Sequence, residues 1–491
     1  MSSIQNDFEK SSKWSLLTEI VSKLLPPVTN MILARLLAPE AFGMVATITM
    51  VTSFAEIFAD AGFQKYLVQH DFADENDLDR NTNVAFWTNL AVSLILWLLI
   101  VFFRHGLAAS VGSPDLGTGI AVAAATIPIT SFSSIQMARY RRAMDFRGLF
   151  FAKLVGIFVP LLVTVPLSFI LRSYWAIIIG SLTTGLINAV FLTVRSPWKP
   201  NLYYNFAILR EMFSFSIWVL ADRLLGWANL NIGVFIVGVY LSEYHLGLYK
   251  TSMAYVNQVL DIIVNALSPV LLSTLSRIRG DKNDFHPFFY QFEEKVGMII
   301  IPLGIGIFVY RDLFTLILLG SQWTEATNFI GLWALMRSLL IIFGMFGTTV
   351  CMSLGKPQSI VVGQSLILFA LIPVLLYSAQ EGYETLYIAR SLLVLWSVTV
   401  YLIIGKIVAN ISPLKIAISY IPYFFAAILM GAAGWGLQQL SENILWHFIS
   451  VFLCIIIYLA ILFIMPRTRA SLLAFLRGTL GNRLPEKLRN M

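Results

Sequence analysis

Long apolar runs separated by short polar connections dominate this chain. A helix needs about 20 predominantly apolar residues to cross a bilayer, and by this criterion the sequence contains about fourteen spans. The connections between them are too short to contain a soluble domain. The pattern therefore predicts an all-α polytopic membrane protein that works within the bilayer. The spans lie near 14–37, 41–62, 84–103, 119–137, 150–171, 174–194, 212–239, 253–275, 297–319, 329–352, 358–378, 385–405, 416–437 and 444–465.

The composition supports this prediction. Hydrophobic residues make up 58% of the chain and charged residues 12%, with a mean hydropathy of +0.77, whereas about a quarter of the residues in a soluble domain are charged. Both cysteines, Cys351 and Cys454, lie in apolar runs, so neither a disulfide framework nor a metal cluster is predicted. The sequence contains no G-x-x-x-x-G-K-[ST] phosphate loop, so we expect neither ATP hydrolysis nor a bound cofactor.

Lysine and arginine are distributed unevenly between the two sets of connections. With the N-terminus inside, the opposite side holds only Arg104, Arg172, Lys250 and Arg311. This asymmetry predicts that both termini are cytoplasmic, and it assigns the net charge of +7 to a membrane face rather than to a nucleic-acid partner. The tail after Pro466 is either an amphipathic helix on the anionic inner leaflet or a frayed basic end.

A faint internal repeat relates two turns of the chain. At a shift of 204 residues, the turn at 36–44 falls on the turn at 240–248, Leu37 on Leu241 and Gly43 on Gly247. Chance similarity between apolar helices is the alternative. A true repeat favours two halves of six spans each, a common plan among transporters. The predicted domains are an N-terminal lobe at 1–200, a C-terminal lobe at 201–410, accessory spans at 411–465 and a cytoplasmic basic tail at 466–491.

The first predicted span carries a polar stripe. Its polar positions recur at steps of four, three, four and four residues, which places them on one helical face. Lys23 lies near the middle of the same span. We therefore expect this helix to face a wet cavity as well as lipid. The stripe comprises Ser15, Glu19, Ser22, Pro26 and Asn30.

Four bases lie deep within predicted spans: Lys23, Arg223, Arg337 and Arg390. Each costs roughly 2.5–3.5 kcal/mol to insert at a helix centre, so each requires a partner or water. Arginine donates two parallel hydrogen bonds to a phosphate, whereas lysine acts as a point charge. The four are therefore predicted to bind an anionic substrate, such as a diphosphate, in a central cavity.

Acidic residues within the spans could balance these bases. Structural ion pairing is the alternative to a functional role for any one of them. Glu19, Asp60, Asp222 and Asp261 are predicted to balance charge or to take part in coupling, with Asp60 or Asp261 carrying a proton or sodium ion. Glu56 is a further acidic residue within a span, to which no role is assigned.

Six short motifs occur in order along most of the chain: ARLLAPEAFG (34–43), FADAGFQKYLVQ (58–69), RYRRAMDFRGLF (139–150), YLSEYHLGLY (240–249), GSQW (320–323) and SLGKP (353–357). Together they resemble the polysaccharide-transporter flippases of the multidrug/oligosaccharidyl-lipid/polysaccharide exporter superfamily. The resemblance implies two pseudo-symmetric six-helix lobes around a V-shaped central cavity. The last two spans contain no Asp, Glu, Lys or Arg, which predicts two peripheral, lipid-facing C-terminal helices. The resemblance also implies that Lys23 and Arg223, at comparable places in the two lobes, bind substrate. Arg337 and Arg390 match no family motif.

The function implied by the resemblance is the movement of polyprenyl-diphosphate-linked oligosaccharide across the bacterial inner membrane by alternating access. Expected partners are this substrate, membrane lipids, a polysaccharide polymerase and glycosyltransferases. Two alternatives stay open. The chain could be a cation-coupled multidrug or metabolite antiporter of the same superfamily, or a membrane partner of a polymerase without transport of its own. An enzyme is less favoured, because glycan polymerases and ligases usually carry a large periplasmic loop.

Overall fold

The structure, a computed structural model, describes residues 25–60, 62–196, 198–279 and 282–480. These residues form helices and connecting turns, with no β-strand among them. The helices of the first half are α1 (25–36), α2 (Pro39–Asp60), α3 (Phe63–Gln69), α4 (Glu75–Phe102), α5 (Arg104–Ser110), α6 (Gly117–Ala123), α7 (Thr126–Arg142), α8 (Phe146–Val159), α9 (Val165–Leu171), α10 (Trp175–Arg195) and α11 (Phe206–Tyr240). Those of the second half are α12 (Glu243–Ile278), α13 (Lys282–Val309), α14 (Arg311–Leu318), α15 (Thr327–Leu340), α16 (Phe346–Ser353), α17 (Gln358–Gln380), α18 (Tyr383–Ala409), α19 (Pro413–Gln438), α20 (Ile444–Ile464) and α21 (Pro466–Leu480).

Most of these helices can cross a membrane. The described residues contain 12 segments that are long and apolar enough, or 13 if α13 and α14, bent by 86° around Tyr310, form one broken span. The all-α polytopic architecture predicted from hydropathy is thus confirmed. Every predicted span after the first overlaps one of these segments. The first, at 14–37, falls largely on residues outside the described ranges, and only its last part, 25–36, is described as a helix.

Side chains at several helix starts supply the acceptors that the first turn requires. An α-helix leaves its first backbone N–H groups without internal partners, and short polar residues satisfy them. The Asp74 carboxylate accepts from the Asp77 N–H before α4, at 2.7 Å. Asp145 accepts from the Gly148 N–H before α8, at 2.9 Å. Each cap satisfies one backbone N–H of the first turn and fixes where its helix begins.

The chain divides into two compact units, Met1–Lys250 and Thr251–Met491. The domain limits predicted by counting spans stay a prediction. In the first unit α7 packs against α4, α10 and α3, and α11 packs against α2, α3 and α4. One core cluster of this unit includes Phe63, Phe86, Trp198 and Met212, all at most 5% exposed.

In the second unit, α13 packs against α15 and α19, and α18 packs against α15 and α17. Two adjacent carboxylates of α13 bind tyrosines of α19. The Tyr420 hydroxyl lies 2.5 Å from Glu293 Oε2, and the Tyr423 hydroxyl lies 2.7 Å from Glu294 Oε1. The first of the two predicted C-terminal spans is therefore fixed to the bundle by buried polar bonds as well as by apolar packing.

The last two helices differ in their surroundings. Many apolar side chains of α20 are exposed, among them Phe452 and Ile456, which is typical of a lipid-facing helix. Helix α21 forms the start of the basic tail, and its Leu472 and Leu473 are buried against the protein. The Ser471 hydroxyl donates to Glu294 Oε1 at 3.0 Å. The first turns of the tail are thus docked rather than frayed.

The two turns of the faint repeat contact each other within the first unit. Helix α1 ends at residue 36 and α2 begins at Pro39, while α11 ends at Tyr240 and α12 begins at Glu243, so both boundaries coincide at a shift of 204. A Cβ placed on Gly43 would clash with the carbonyl oxygen of Glu243, and one on Gly247 with that of Pro39. The contact is therefore reciprocal, as a local two-fold relation between the turns requires.

Candidate functional site

A polar cavity of about 300 Å³ lies in the first unit and is lined by residues of α2, α3, α4, α7 and α11. Two ionisable side chains line it, Glu56 from α2 and Arg223 from α11. Both side chains are half-buried. The rest of the lining is largely hydroxyl and carboxamide, which is unusual for the interior of apolar helices. It includes Ser53, Gln64, Asn89, Thr130, Ser131 and Ser134.

Hydrogen bonds fix part of this lining. The Asn89 Nδ2 donates to Ser134 Oγ at 2.9 Å and joins α4 to α7. The Trp227 Nε1 donates to Ser53 Oγ at 3.1 Å and joins α11 to α2. Asn89, Ser134 and Ser53, which take part in these bonds, all line the cavity. The walls are thus held by bonds between helices, which is what a preformed binding site requires.

A second polar cluster lies in the second unit. The Arg337 Nη2 is 2.8 Å from Asp261 Oδ1, forming a salt bridge between α15 and α12. One turn earlier on both helices, the Trp333 Nε1 donates to Asn257 Oδ1 at 3.0 Å. Residues four apart share a helical face, so the two bonds join the same faces of α12 and α15, one helical turn apart.

Arg390 of α18 completes this cluster. Its guanidinium carbon lies 4.6 Å from the centre of the Trp333 ring, within the range of a cation–π contact. The Trp333 side chain is 3% exposed, so the contact is shielded from bulk water. Within the described ranges, Arg390 has no salt bridge, and its buried Nε has no hydrogen-bond acceptor. The cluster thus holds two guanidinium groups beside the single carboxylate of Asp261.

The structure therefore groups the predicted site residues in two places. Arg337, Arg390 and Asp261 come together in the second unit, and Arg223 lines the cavity of the first. Lys23 and Glu19 lie outside the described residues. Asp60 ends α2 and Asp222 lies in α11, but their side chains are outside the described part of the structure. The functional roles assigned to all eight residues stay predictions.

Several residues of the cavity and the cluster are uncharged, so a search of the sequence for charged residues within spans does not find them. They include Asn89, Asn257 and Trp333. Glu56 is found by such a search, but the sequence assigns it no role. A spacing signal could have found part of the second cluster. Asn257 and Asp261 are four residues apart, as are Trp333 and Arg337, so each pair lies on one helical face.

Comparison with known proteins agrees with this architecture. A family model described as "Polysaccharide biosynthesis protein" matches residues 32–328, more than half of the chain. The succinoglycan biosynthesis transport protein ExoT of Rhizobium meliloti (strain 1021) is 23% identical over 67% of this chain. The lipopolysaccharide biosynthesis protein WzxC of Escherichia coli (strain K12) is 19% identical over 64% of it. The matched regions span 65% and 63% of the lengths of these two relatives.

Solved structures show the same fold at low identity. The lipid II flippase MurJ, in an inward closed conformation, aligns with a TM-score of 0.75 and 14% identity, covering 92% of this chain and 99% of that chain. An inward-facing multidrug resistance transporter of the MATE family and MOP superfamily aligns with a TM-score of 0.62 and 13% identity, covering 81% and 95%. These likenesses establish the fold, and the family model establishes the family. This chain is a multi-pass membrane protein that belongs to the polysaccharide biosynthesis protein family.

Proposed function

We propose that this protein moves polyprenyl-diphosphate-linked oligosaccharide across the bacterial inner membrane for the synthesis of a surface polysaccharide. Membership of the polysaccharide biosynthesis family supports the substrate class. One relative is named as a transport protein of succinoglycan biosynthesis, and the fold is that of a lipid II flippase. The cellular product would be an exopolysaccharide or a lipopolysaccharide. Both termini would be cytoplasmic, as the distribution of lysine and arginine favours.

The cluster of Arg337, Arg390 and Asp261 carries this proposal. Two guanidinium groups with one carboxylate leave an excess positive charge within membrane-spanning helices. An uncompensated charge is expensive in the bilayer, and an anionic ligand would remove that cost. Guanidinium groups match phosphate oxygens in geometry as well as in charge. A diphosphate is therefore the ligand that suits this cluster best.

The Asp261 carboxylate supplies a mechanism for release. The Asp261 carboxylate occupies Nη2 of Arg337, one of the three guanidinium nitrogens, so a phosphate that binds through the same nitrogen would compete with the carboxylate. A proton or a sodium ion arriving at Asp261 would favour the phosphate-bound state, and its departure would favour release. This exchange would couple transport to an ion gradient. Arg223 would act on the same substrate from the cavity of the first unit.

Reconstitution in vesicles tests the proposal. The substrate is the lipid-linked oligosaccharide extracted from cells in which this chain has been deleted, and the readout is its arrival at the opposite leaflet. We expect wild-type protein to translocate it and Arg337→Gln with Arg390→Gln to lose most of the rate. Arg141→Gln is the matched control, because Arg141 is an exposed base outside both polar regions. Equal rates for the double variant and wild type would contradict the cationic site.

The alternative function is export of a drug or metabolite by a cation-coupled antiporter. Its support is the fold likeness to a MATE family multidrug transporter. Excess positive charge around Trp333 would repel a cationic drug, which makes this alternative less favourable. Gradient-driven transport of a cationic dye in the same vesicles, without movement of the lipid-linked oligosaccharide, would support the antiporter instead. Contacts with a polymerase or glycosyltransferases belong to the proposal only as consequences of the substrate class.

A further inference from the structure

We propose that the polar cavity of the first unit, lined by Glu56, Asn89, Ser131 and Arg223, is a subsite for one sugar ring of the substrate. The inference rests on the proposed function and names the part of the substrate that this cavity would hold. In this cavity the sugar ring would be recognised by carboxamide, hydroxyl and charged side chains.

Unsatisfied polar atoms in the cavity wall indicate a ligand. Asn89 is 1% exposed; its Nδ2 donates to Ser134, but its Oδ1 has no hydrogen-bond partner within the described residues. Ser131 is 4% exposed, and its Oγ likewise has no partner there. Buried polar groups are nearly always bonded, because leaving one unsatisfied is costly. Both side chains line the cavity, so a molecule inside it could complete their bonds.

The chemistry of the lining favours a polyhydroxylated ligand. Each sugar hydroxyl can donate one hydrogen bond and accept others. Asn89 Oδ1 can only accept a hydrogen bond, whereas the Ser131 hydroxyl can donate or accept. The Glu56 carboxylate accepts from two hydroxyls when ionised, and Arg223 can donate to others. These two side chains carry opposite charges, so the lining has no excess charge that would favour an anion, and a neutral polyol can bond to the whole wall.

The size of the cavity agrees with a single ring. Its volume of about 300 Å³ corresponds to roughly ten water molecules at about 30 Å³ each. This is at the small end of the range for ligand pockets. It is enough for one monosaccharide and too small for an oligosaccharide. Apolar lining from Ile57, Ile127 and Met137 would contact the carbon-bound hydrogens of the ring.

Binding of two lipids to the purified full-length protein in nanodiscs tests the subsite. One lipid is the lipid-linked oligosaccharide extracted from cells that lack this chain, and the other is undecaprenyl diphosphate without sugar. The variants Ser131→Ala and Asn89→Leu each remove one group of the wall. Ser93→Ala is a matched control, because Ser93 is a fully buried serine of α4 whose Oγ also has no partner within the described ranges, yet it does not line the cavity.

We expect wild-type protein to bind the glycolipid more tightly than undecaprenyl diphosphate. Each test variant should raise the Kd of the glycolipid by about three- to tenfold, the range for one lost hydrogen bond, and leave that of undecaprenyl diphosphate unchanged. Ser93→Ala should change neither. Glycolipid affinity that is unaltered in both test variants would overturn the subsite alone, with the cavity holding only water. Failure of wild-type protein to bind either lipid would overturn the proposed function and the subsite with it.

Discussion

Gly43 and Gly247 approach each other so closely that the backbone nitrogen of each lies about 3 Å from where a Cβ on the other would be, at 3.0 and 3.1 Å. Each glycine lies in the first turns of its helix, α2 or α12. The carbonyl oxygens of Pro39 and Glu243 occupy the remaining space in the same reciprocal way. Only residues without a side chain allow this approach of two backbones.

Alanine at either glycine should therefore force the two turns apart. A Cβ at position 43 or 247 would meet backbone atoms, which cannot rotate away as a side chain can. We expect Gly43→Ala and Gly247→Ala each to destabilise the protein by roughly 1–3 kcal/mol, the usual range for overpacking. The midpoint of thermal unfolding in detergent measures the loss.

Gly405→Ala serves as the control for this prediction. Gly405 lies within α18, and among the described residues a Cβ there would have no atom outside its own helix within 4 Å. Alanine favours a helix interior over glycine by about 0.5–1 kcal/mol, so this variant should be as stable as wild type or more so. Equal stability of Gly43→Ala and Gly405→Ala would show that the close approach contributes nothing.

The same glycine pair shows which structural features can be predicted from the sequence and which cannot. A shift of 204 residues relates Gly43 to Gly247 in the sequence, and it correctly relates the helix boundaries on either side. The contact between the two turns could not be predicted, because similarity between segments does not state whether they touch. Hydropathy predicts spans reliably, since lipid requires long apolar helices with satisfied backbones.

The candidate site is less predictable, for a different reason. Charged residues within spans are conspicuous because each is expensive, and this cost alone marks Arg223, Arg337 and Arg390 in the sequence. It does not mark their partners. Pairing of Arg337 with Asp261 requires knowing which helices are neighbours, and α12 and α15 are separated by two other helices in the chain. Neutral residues such as Asn89 carry no such signal, because serine, threonine and asparagine occur within many of the spans.

The salt bridge between Asp261 and Arg337 should show strong coupling in a double-mutant cycle. Asp261→Asn leaves a guanidinium without its carboxylate, and Arg337→Gln leaves the carboxylate without its base, so each single variant should be destabilised. The double variant should recover part of the loss, with an interaction energy of about 1–3 kcal/mol. The Arg337 side chain is 15% and the Asp261 side chain 31% exposed, so partial solvation keeps the value below that of a fully buried pair.

Thermal or denaturant unfolding of the four proteins measures this coupling. Additive losses in the double variant would mean that the two charges do not stabilise each other. A cycle between Arg337 and Glu294, a carboxylate bound by Tyr423 and Ser471 instead, should be additive within about 0.5 kcal/mol and so provides the reference.

Tyr420 should contribute to stability through its hydroxyl. The oxygen lies 2.5 Å from Glu293 Oε2 and 3.0 Å from the Ile342 carbonyl oxygen, and Tyr420 is fully buried. Tyr420→Phe keeps the ring but leaves the buried Glu293 carboxyl without this donor, which should cost roughly 1–3 kcal/mol. The midpoint of thermal unfolding checks it.

Tyr377→Phe is the matched control for the hydroxyl of Tyr420. Tyr377 is 70% exposed, and its hydroxyl has no hydrogen bond among the described residues. Removing it should shift the midpoint little. A second variant, Glu293→Gln, retains an oxygen that can accept from Tyr420, so we expect it to cost less than Tyr420→Phe. Equal midpoints for Tyr420→Phe and wild type would show that this hydroxyl does not help to hold α19 against α13.

Arg142 caps the C-terminal end of α3, and we expect that lysine cannot replace it there. Its Nη1 donates to the carbonyl oxygens of Leu67 at 3.1 Å and His70 at 2.7 Å, and its guanidinium carbon lies 4.6 Å from the centre of the Phe72 ring. The last carbonyls of a helix have no partners within it, so the guanidinium satisfies two of them while stacking on an aromatic ring. A lysine ammonium is a compact point charge that cannot reproduce this planar arrangement.

We therefore expect Arg142→Lys to loosen the segment from Phe63 to Phe72 while leaving the spans folded. Hydrogen–deuterium exchange of this segment should accelerate by about tenfold or more, since bonds to a charged group contribute roughly 1.5–3 kcal/mol. Arg141→Lys is the neighbouring control, because Arg141 is exposed and its side chain makes no hydrogen bond or salt bridge among the described residues. Identical exchange in the two variants would show that charge alone holds α3, since both variants retain it.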